Sequence, residues 1–333
     1  MNLDGSKPKL SIGLPVFNGE KYLKEALDSI LNQTFSDFEL IISDNASTDQ
    51  TEQICREYAA KDGRIRYYRN EKNIGAPKNF NRVFELSSSE YFKWAPHDDV
   101  LAPTLLQKCV NVLDNDPAVV LCYSITGRID EHGTLVGTYN QGLLTRIDSE
   151  KPHERFGDLL GLLHAVCPLL GVGRSTAFAR TPLQGNYVAA DRPLLAEISL
   201  MGRIHEIPEC LFFLRDHSGS YSSTYYGNNR PKSTDDFQKE MAFWSKDSGT
   251  SFPHWKVCLE YFRSVNRVPL KWSEKLLCYD QIFRWIKKEG YIFFWMDMKR
   301  FLLPHSKLAS KLIPSFSLNL QRIVVPIMRK INH

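Results

Sequence analysis

Two adjacent carboxylates, Asp98 and Asp99, end the segment Trp94-Ala95-Pro96-His97-Asp98-Asp99-Val100, directly after a strand-like run over 90–95 and before a helix-like one. In an open parallel sheet, ligands bind beyond the carboxyl ends of strands, so an acidic pair there can hold a divalent cation against a substrate's phosphates. The chemistry implied is metal-assisted transfer from a nucleotide. An acidic turn that caps the next helix fits these residues equally well, and only their surroundings can separate the two.

The elements that must position the pair alternate in type. Leu10 to Leu14 reads as a buried strand, and after Pro15-Val16-Phe17-Asn18-Gly19 a helix follows with Leu23, Ala26, Leu27, Ile30 and Leu31 on one stripe. Phe38 to Ser43 is a second strand, Ser47 to Asp49 can cap a helix running to about Ala60, and Arg64 to Arg69 is a third strand. A helix from Pro77 to Leu86, the strand before the acidic pair, a helix from Pro103 to Leu113 and a strand from Val119 to Ser124 complete the series. Such alternation predicts an α/β fold, a mostly parallel open sheet flanked by helices.

Composition bounds the answer. The 333 residues, 43% of them hydrophobic, can build a sizeable core; the start, Met1 to Lys7, has no apolar stretch of signal-peptide length, and no later segment reaches that of a membrane span. A cytoplasmic location is expected. The cysteines at 55, 109, 122, 167, 210, 258 and 278 are odd in number and contain no Cys-x-x-Cys pair, which argues against both a disulfide framework and a zinc site. The net charge of +4 conceals an asymmetry: residues 298–333 carry seven cations and no acid, leaving the first 297 residues at −3. In that tail the cations sit among Leu302-Leu303, Leu312-Ile313 and Ile323-Val324-Val325, a mixture suited to an anionic bilayer rather than to nucleic acid. The competing reading is a helical extension packed on the protein or on a partner copy, broken into short pieces by Pro304, Pro314 and Pro326.

Beyond Gly127 the regularity fades into a segment expected to build a pocket wall. Leu170 to Ser175 is a glycine-rich approach to a short helix, and Asp191-Arg192-Pro193 opens a helix carrying Leu194, Leu195, Ile198 and Leu200. A strand from Glu209 to Leu214 ends in Arg215-Asp216-His217. The polar run from Ser218 to Thr234 reads as a mobile loop, and 235–333 reads as mainly helical and rich in aromatics. The expected organisation is therefore a domain over 1–220, a linker over 221–234 and a helical, basic region over 235–333.

Four segments in order, Leu14-Pro15-Val16-Phe17-Asn18-Gly19, Ile42-Ser43-Asp44-Asn45-Ala46-Ser47-Thr48-Asp49, Asn73-Ile74-Gly75 and His97-Asp98-Asp99, resemble the family-2 glycosyltransferases with the A-type nucleotide-sugar fold. The likeness covers roughly 8–217, and the last third adds nothing to it. It implies that Pro15, Phe17 and Glu20 line the nucleotide cleft, with Asn73 in the same nucleotide-binding set and Asp44 on the base. It further implies that Asp98 faces the ribose or sugar, that Asp99 ligates Mn²⁺ or Mg²⁺, that His217 reaches the metal or the diphosphate, and that Arg215 offers a fixed charge to phosphate. Asp99 would then be a site-lining carboxylate whose loss leaves the fold intact. Asp191, at the start of the helix after the acceptor segment, is the implied catalytic base of an inverting transfer. Simpler roles stand beside these: a local turn with Ser47 and Thr48 for Asp44, a helix-dipole partner for Glu20, a solvated surface imidazole for His217 and a helix cap for Asp191.

Two positions depart from the family pattern. Many relatives have an Asp where this chain has Pro96 and an acidic residue where it has Ala190. The expected activity is transfer from a nucleotide-diphosphate sugar, UDP-linked since the family resembled uses UDP most often, to a glycan or lipid-linked acceptor at the inner face of a bacterial membrane. A non-catalytic sugar-nucleotide binder and a nucleotidyltransferase are the alternatives, although Pro15 to Glu20 is no Gly- and Lys-rich phosphate loop.

Overall fold

The computed structural model describes residues 7–139, 143–160, 165–217 and 252–291, together with Phe294, Asp297 and Met298. The expected mobile loop, Trp244 and the basic tail lie outside the described residues. In chain order the elements are β1 (Leu10–Val16), α1 (Leu23–Leu31), β2 (Phe38–Asp44), α2 (Thr51–Lys61), β3 (Ile65–Arg69), α3 (Ala76–Glu85), β4 (Tyr91–Trp94) and β5 (Val100–Leu101). There follow α4 (Leu105–Asn115), β6 (Val119–Ile129), β7 (Leu135–Thr138), α5 (Pro152–Leu159), β8 (Val172–Arg174), α6 (Ser175–Phe178), α7 (Asp191–Met201) and β9 (Arg203–Arg215). The helices α8 (Pro253–Arg267) and α9 (Trp272–Trp285) close the described chain.

One mixed sheet runs in the order β3-β2-β1-β4-β8-β6-β9-β5, with β7 paired to β6. The pairs β1/β2, β1/β4, β2/β3 and β6/β9 are parallel, and β4/β8, β6/β8, β5/β9 and β6/β7 are antiparallel. Because β8 is antiparallel to both β4 and β6, strands β1, β2, β4, β6 and β9 all point one way. Their carboxyl ends therefore share one edge of the sheet, the edge where ligands bind in this architecture. Gly13 lets α3 come close to β1 there: a Cβ at Gly13 would lie 2.6 Å from Val83 Cγ2.

The two faces of the sheet carry separate apolar layers. Leu10, Ile12, Leu14, Leu40 and Ile42 pack with α1, α2 and α4. On the other face Ile41, Phe92 and Trp94 join a layer that reaches α5, α7, α8 and α9. The C-terminal hairpin thus shares its core with the domain. It is tied to α7 by Glu197, which is fully buried and accepts from the Ser264 hydroxyl (2.8 Å) and Arg267 Nε (2.9 Å). All seven cysteines are free thiols, as their count and spacing imply.

Candidate active site

The loop after β1 and the loop after β2 are zipped together. Ser47 Oγ accepts from Asn18 N (2.9 Å), Asn18 Oδ1 accepts from Thr48 N (2.8 Å), and Thr51 Oγ1 accepts from Gly19 N (2.9 Å). Pro15 is placed where its missing N–H costs no ladder bond. Gly13 O accepts from Ala95 N on the β4 side and Val16 O from Asn45 N on the β2 side, so alternation turns the Pro15 nitrogen toward β4, beyond the last β4 partner. Phe17 is exposed on the rim. Glu20 Oε2 accepts from Gln50 N (2.9 Å), so this glutamate meets the positive end of α2, whereas the helix-dipole reading tied it to the helix just after it in the chain.

Asp44 is completely buried at the end of β2. Its Oδ1 accepts from Ser47 N (2.8 Å), the local turn weighed above, and Oδ2 accepts from the Tyr67 hydroxyl (2.9 Å) with Arg69 Nε 3.4 Å away. Asn73 Oδ1 accepts from Asn45 Nδ2 (3.0 Å) and Gly75 N (2.9 Å), while Asn45 Oδ1 takes Asn70 Nδ2 (3.0 Å) and Ile74 N (2.9 Å). This amide network fixes the loop after β3 against the end of β2. Backbone strain gathers here as well: Asn18 (φ 50°) and Ala46 (φ 61°) occupy the left-handed region, which costs about 1–3 kcal/mol and is typically kept at functional sites.

Beyond β4 the chain brings Asp98, Asp99, Arg215 and His217 together. Asp98 Oδ2 lies 2.9 Å from His217 Nε2, and the His217 ring packs 4.8 Å from that of Tyr22. Burial alone would raise the Asp98 pKa, but the fields of His97 and His217 and the bond to His217 win and hold it below the ordinary carboxylate value. Asp99 turns inward, buried, with Oδ1 accepting from Arg215 N (3.0 Å). Burial, then the neighbouring Asp98, push its pKa well above normal. The direct-ligand role expected of Asp99 meets a carboxyl already committed to the β9 backbone.

Arg215, expected to present charge to phosphate, is 1% exposed and is used internally. Its Nε donates to Asp98 O (3.0 Å), one terminal nitrogen to Asp130 O (3.3 Å), and the other to Glu25 Oε2 (2.6 Å), with Tyr22 stacked 4.8 Å away. It is a strut that locks the acidic loop to α1 and the β6–β7 turn. Gly19 completes the packing, since a Cβ there would lie 2.5 Å from His97 Cδ2. Among the described residues no three His, Cys, Asp or Glu side chains form a cation-binding group. Asp98, bonded to His217, is the carboxylate that could contribute to a hard divalent cation whose other positions are filled by phosphate oxygens and water.

Lys93, on β4, has no exposed surface, donates Nζ to Leu170 O and lies 4.7 Å over the Phe212 ring. Burial lowers its pKa to about 8 from 10.5. The folded state therefore binds fewer protons than the unfolded chain between those values, and stability rises with pH across that window. Replacing Lys93 with Met removes this dependence, so the stability difference between Lys93→Met and the native protein should shift against the variant by about 3 kcal/mol as pH rises from 7 to above 10. Urea unfolding at the two pH values checks it, and parallel pH profiles would reject the buried-cation account.

Asp191 opens α7, one residue after Ala190 and two after Ala189, which is also left-handed (φ 60°). Its Oδ1 accepts from the N–H of the next residue, Arg192 (3.0 Å); the N-cap is Ala190 and α7 has no side-chain cap bond, so the helix-cap role expected of Asp191 is not made. Part of its surface is exposed, yet burial raises its pKa, opposed by Arg192. Among the described residues no bond joins it to the Asp98 cluster. Sequence reasoning missed Tyr22, Glu25, Lys93 and Tyr67; Tyr22 and Glu25 carry no local signal, since their partners are some 190 residues away.

A sheet with these co-directed strands, zipped loops after β1 and β2, and an acidic pair after β4 defines the A-type glycosyltransferase fold. The glycosyl transferase family 2 model matches residues 11–169, and these residues form a domain of that family. An uncharacterized glycosyltransferase of Methanocaldococcus jannaschii is 35% identical over 132 residues, 39% of this chain and 46% of the relative. Chondroitin synthase of Escherichia coli is 32% identical over 140 residues, 42% of this chain and 20% of the relative. The chain thus matches less than half the length of either. Among solved structures, Staphylococcus aureus TarS 1–349 in complex with UDP superimposes with a TM-score of 0.57 at 18% identity, over 97% of this chain and 87% of that one. The same TarS fragment in complex with UDP-GlcNAc gives the same TM-score. These likenesses show the fold.

Proposed function

We propose that the protein is an inverting glycosyltransferase that moves a sugar from a nucleotide-diphosphate sugar, UDP-linked in the first instance, to a hydroxyl of a lipid-linked or growing glycan. The observation that carries this reading is the Asp98–His217 pair held by Arg215 at the carboxyl edge of the sheet. Pro15, Phe17, Asp44 and Asn73 flank the nucleotide on the opposite side of the cleft. Asp98 and His217 would hold Mn²⁺ or Mg²⁺, whose charge offsets that developing on the leaving diphosphate. Asp99 and Arg215 position that pair from behind. Asp191 accepts the proton of the acceptor hydroxyl as it attacks the anomeric carbon opposite the leaving group.

The UDP and UDP-GlcNAc bound by TarS support the choice of nucleotide, and the name of the E. coli relative supports a glycan acceptor. The setting proposed is bacterial surface-polysaccharide synthesis on the inner membrane face, with a catalytic domain over 1–220 whose core the α8–α9 hairpin completes, a linker over 221–234 and the tail on anionic lipid. No described helix is long and apolar enough to cross a membrane. Pro96 and Ala190, in place of family carboxylates, favour the second reading, a non-catalytic binder of nucleotide sugars. Slow hydrolysis of UDP-sugar without acceptor would decide for the enzyme.

A thermal-shift screen of nucleotide sugars with and without Mn²⁺ tests the donor class. At a hundredfold excess over its dissociation constant the true donor adds about 2.7 kcal/mol, or roughly 5–10 °C in a domain of this size. A response to GDP-sugars alone would overturn the UDP assignment, and no response to any nucleotide sugar would overturn the family-based activity.

A further inference from the structure

The α8–α9 hairpin carries an apolar face that the catalytic reading leaves unused. On α8, Trp255, Leu259 and Phe262 follow at intervals of four and three residues; on α9, Trp272, Leu276, Tyr279 and Phe283 follow at intervals of four, three and four. These spacings put each set on one side of its helix. The opposite sides are inside the protein, where Tyr261, Val265, Ile282 and Trp285 are buried. Phe262 joins the two stripes by packing 5.8 Å from Tyr279 and 5.9 Å from Phe283. Trp272 is 70%, Phe283 61% and Leu276 57% exposed, so the face is continuous and open.

Charge decides what fits it. Residues 252–298 contain eight Lys or Arg against five Asp or Glu, and Arg263, Lys275, Arg284 and Lys287 stand on α8, α9 and the turn after it. The chain then runs on from Asp297, whose carboxylate accepts from His254 N (2.9 Å) and Trp255 N (3.2 Å) at the start of α8. Asp297 thus lies beside the start of this face, and the sequence after Met298 carries seven cations and no acid. Arg263 and Arg284 are partly offset by Glu260 (2.6 Å) and Asp280 (2.8 Å), and the positive excess that remains is complemented neither by a second copy nor by the seven-cation tail. An anionic bilayer accommodates both features, since Trp and Tyr favour the headgroup level and Lys and Arg meet lipid phosphates.

We propose that this face of the α8–α9 hairpin is a docking surface for an anionic phospholipid bilayer. The proposal deepens the membrane placement given above, on residues separate from the tail. Docked in this way, the hairpin would fix α7, and with it Asp191, relative to the bilayer through the Glu197–Arg267 tie.

Co-sedimentation of the full chain with phosphatidylcholine vesicles, with and without one-quarter phosphatidylglycerol, tests it. The triple variant Trp272→Ser, Leu276→Ser, Phe283→Ser should lose about tenfold or more in partition to the anionic vesicles, the effect of three apolar side chains no longer entering the headgroup boundary. A second variant, with the seven tail cations changed to Gln, should lose the salt-sensitive part of binding and keep the part that survives 0.5 M NaCl. Native-level binding by the triple variant, or no binding of the native protein to anionic vesicles, overturns the proposal. So does a native dimer that the triple variant dissociates while vesicle binding is unchanged, which would assign the face to a second copy. Donor-induced thermal shifts on the same samples separate the readings, because their absence counts against the transferase and leaves the docking result standing.

Discussion

Asp191→Asn should lower sugar transfer by about 10²–10⁴-fold while UDP-sugar affinity stays unchanged, the loss expected when a general base can no longer accept a proton. The amide keeps the shape and the oxygen that accepts from Arg192 N, so α7 should start as before. Burial has raised the Asp191 pKa, so in the native enzyme the rate should fall with acidification at a higher pH than for an ordinary carboxylate. The variant's residual rate should lack that limb. Stability runs the other way: a carboxyl whose folded pKa is raised costs the fold nothing in acid, and the penalty appears as pH rises through the folded value. Asp191→Asn should therefore be more stable than the native protein at neutral pH and equal to it in acid. Native turnover with the true acceptor, or an unchanged acid limb, would move the base elsewhere.

What the sequence disclosed is unevenly distributed, for physical reasons. β1, β2 and the helix between them were legible because each buries a full apolar run or a single stripe, and their bounds match the pattern to within two residues. The start of β9 was not. Its pattern predicted a strand from Glu209, but β9 begins at Arg203, and the stretch His205, Glu206, Pro208 and Glu209 breaks any apolar period because those side chains are partly or fully exposed. The extension of β6 to Ile129, the two-residue β5 and the three-residue β8 escaped likewise, being fixed by pairing rather than by composition. The alternation foretold the parallel half of the sheet, while the antiparallel insertion of β8 between β4 and β6 left no periodic trace.

In the site, motif order located the acidic pair and the β1 and β2 loops, yet could not say which carboxylate faces outward. The residues that decide it, Glu25 and Arg215, lie 190 positions apart. A turn such as Asp44–Ser47 is local and was foreseeable from residue type. A strut that connects α1, the acidic loop and the end of β9 is a property of the assembled fold alone.

The two carboxylates of the pair should therefore separate by mutation. Asp98→Ala removes an outward-facing oxygen 2.9 Å from His217 Nε2 and should weaken Mn²⁺-dependent UDP binding by about 100-fold or more, since even outer-shell partners of a metal cost 10–100-fold. With the cation chelated, native and variant proteins should bind UDP alike. Asp99→Ala instead strips the acceptor from a buried N–H at Arg215 and should cost about 1–3 kcal/mol of stability. Asp99→Asn keeps an oxygen for that bond, and because burial already disfavours the charged form, it should restore most of the loss. Calorimetry with UDP and Mn²⁺, run beside thermal melts, reads both effects. The opposite pattern, in which Asp99→Asn abolishes Mn²⁺-dependent affinity with its melting point intact while Asp98→Ala binds normally, would return the metal to Asp99 and require the β9 backbone to release its carboxyl when donor binds.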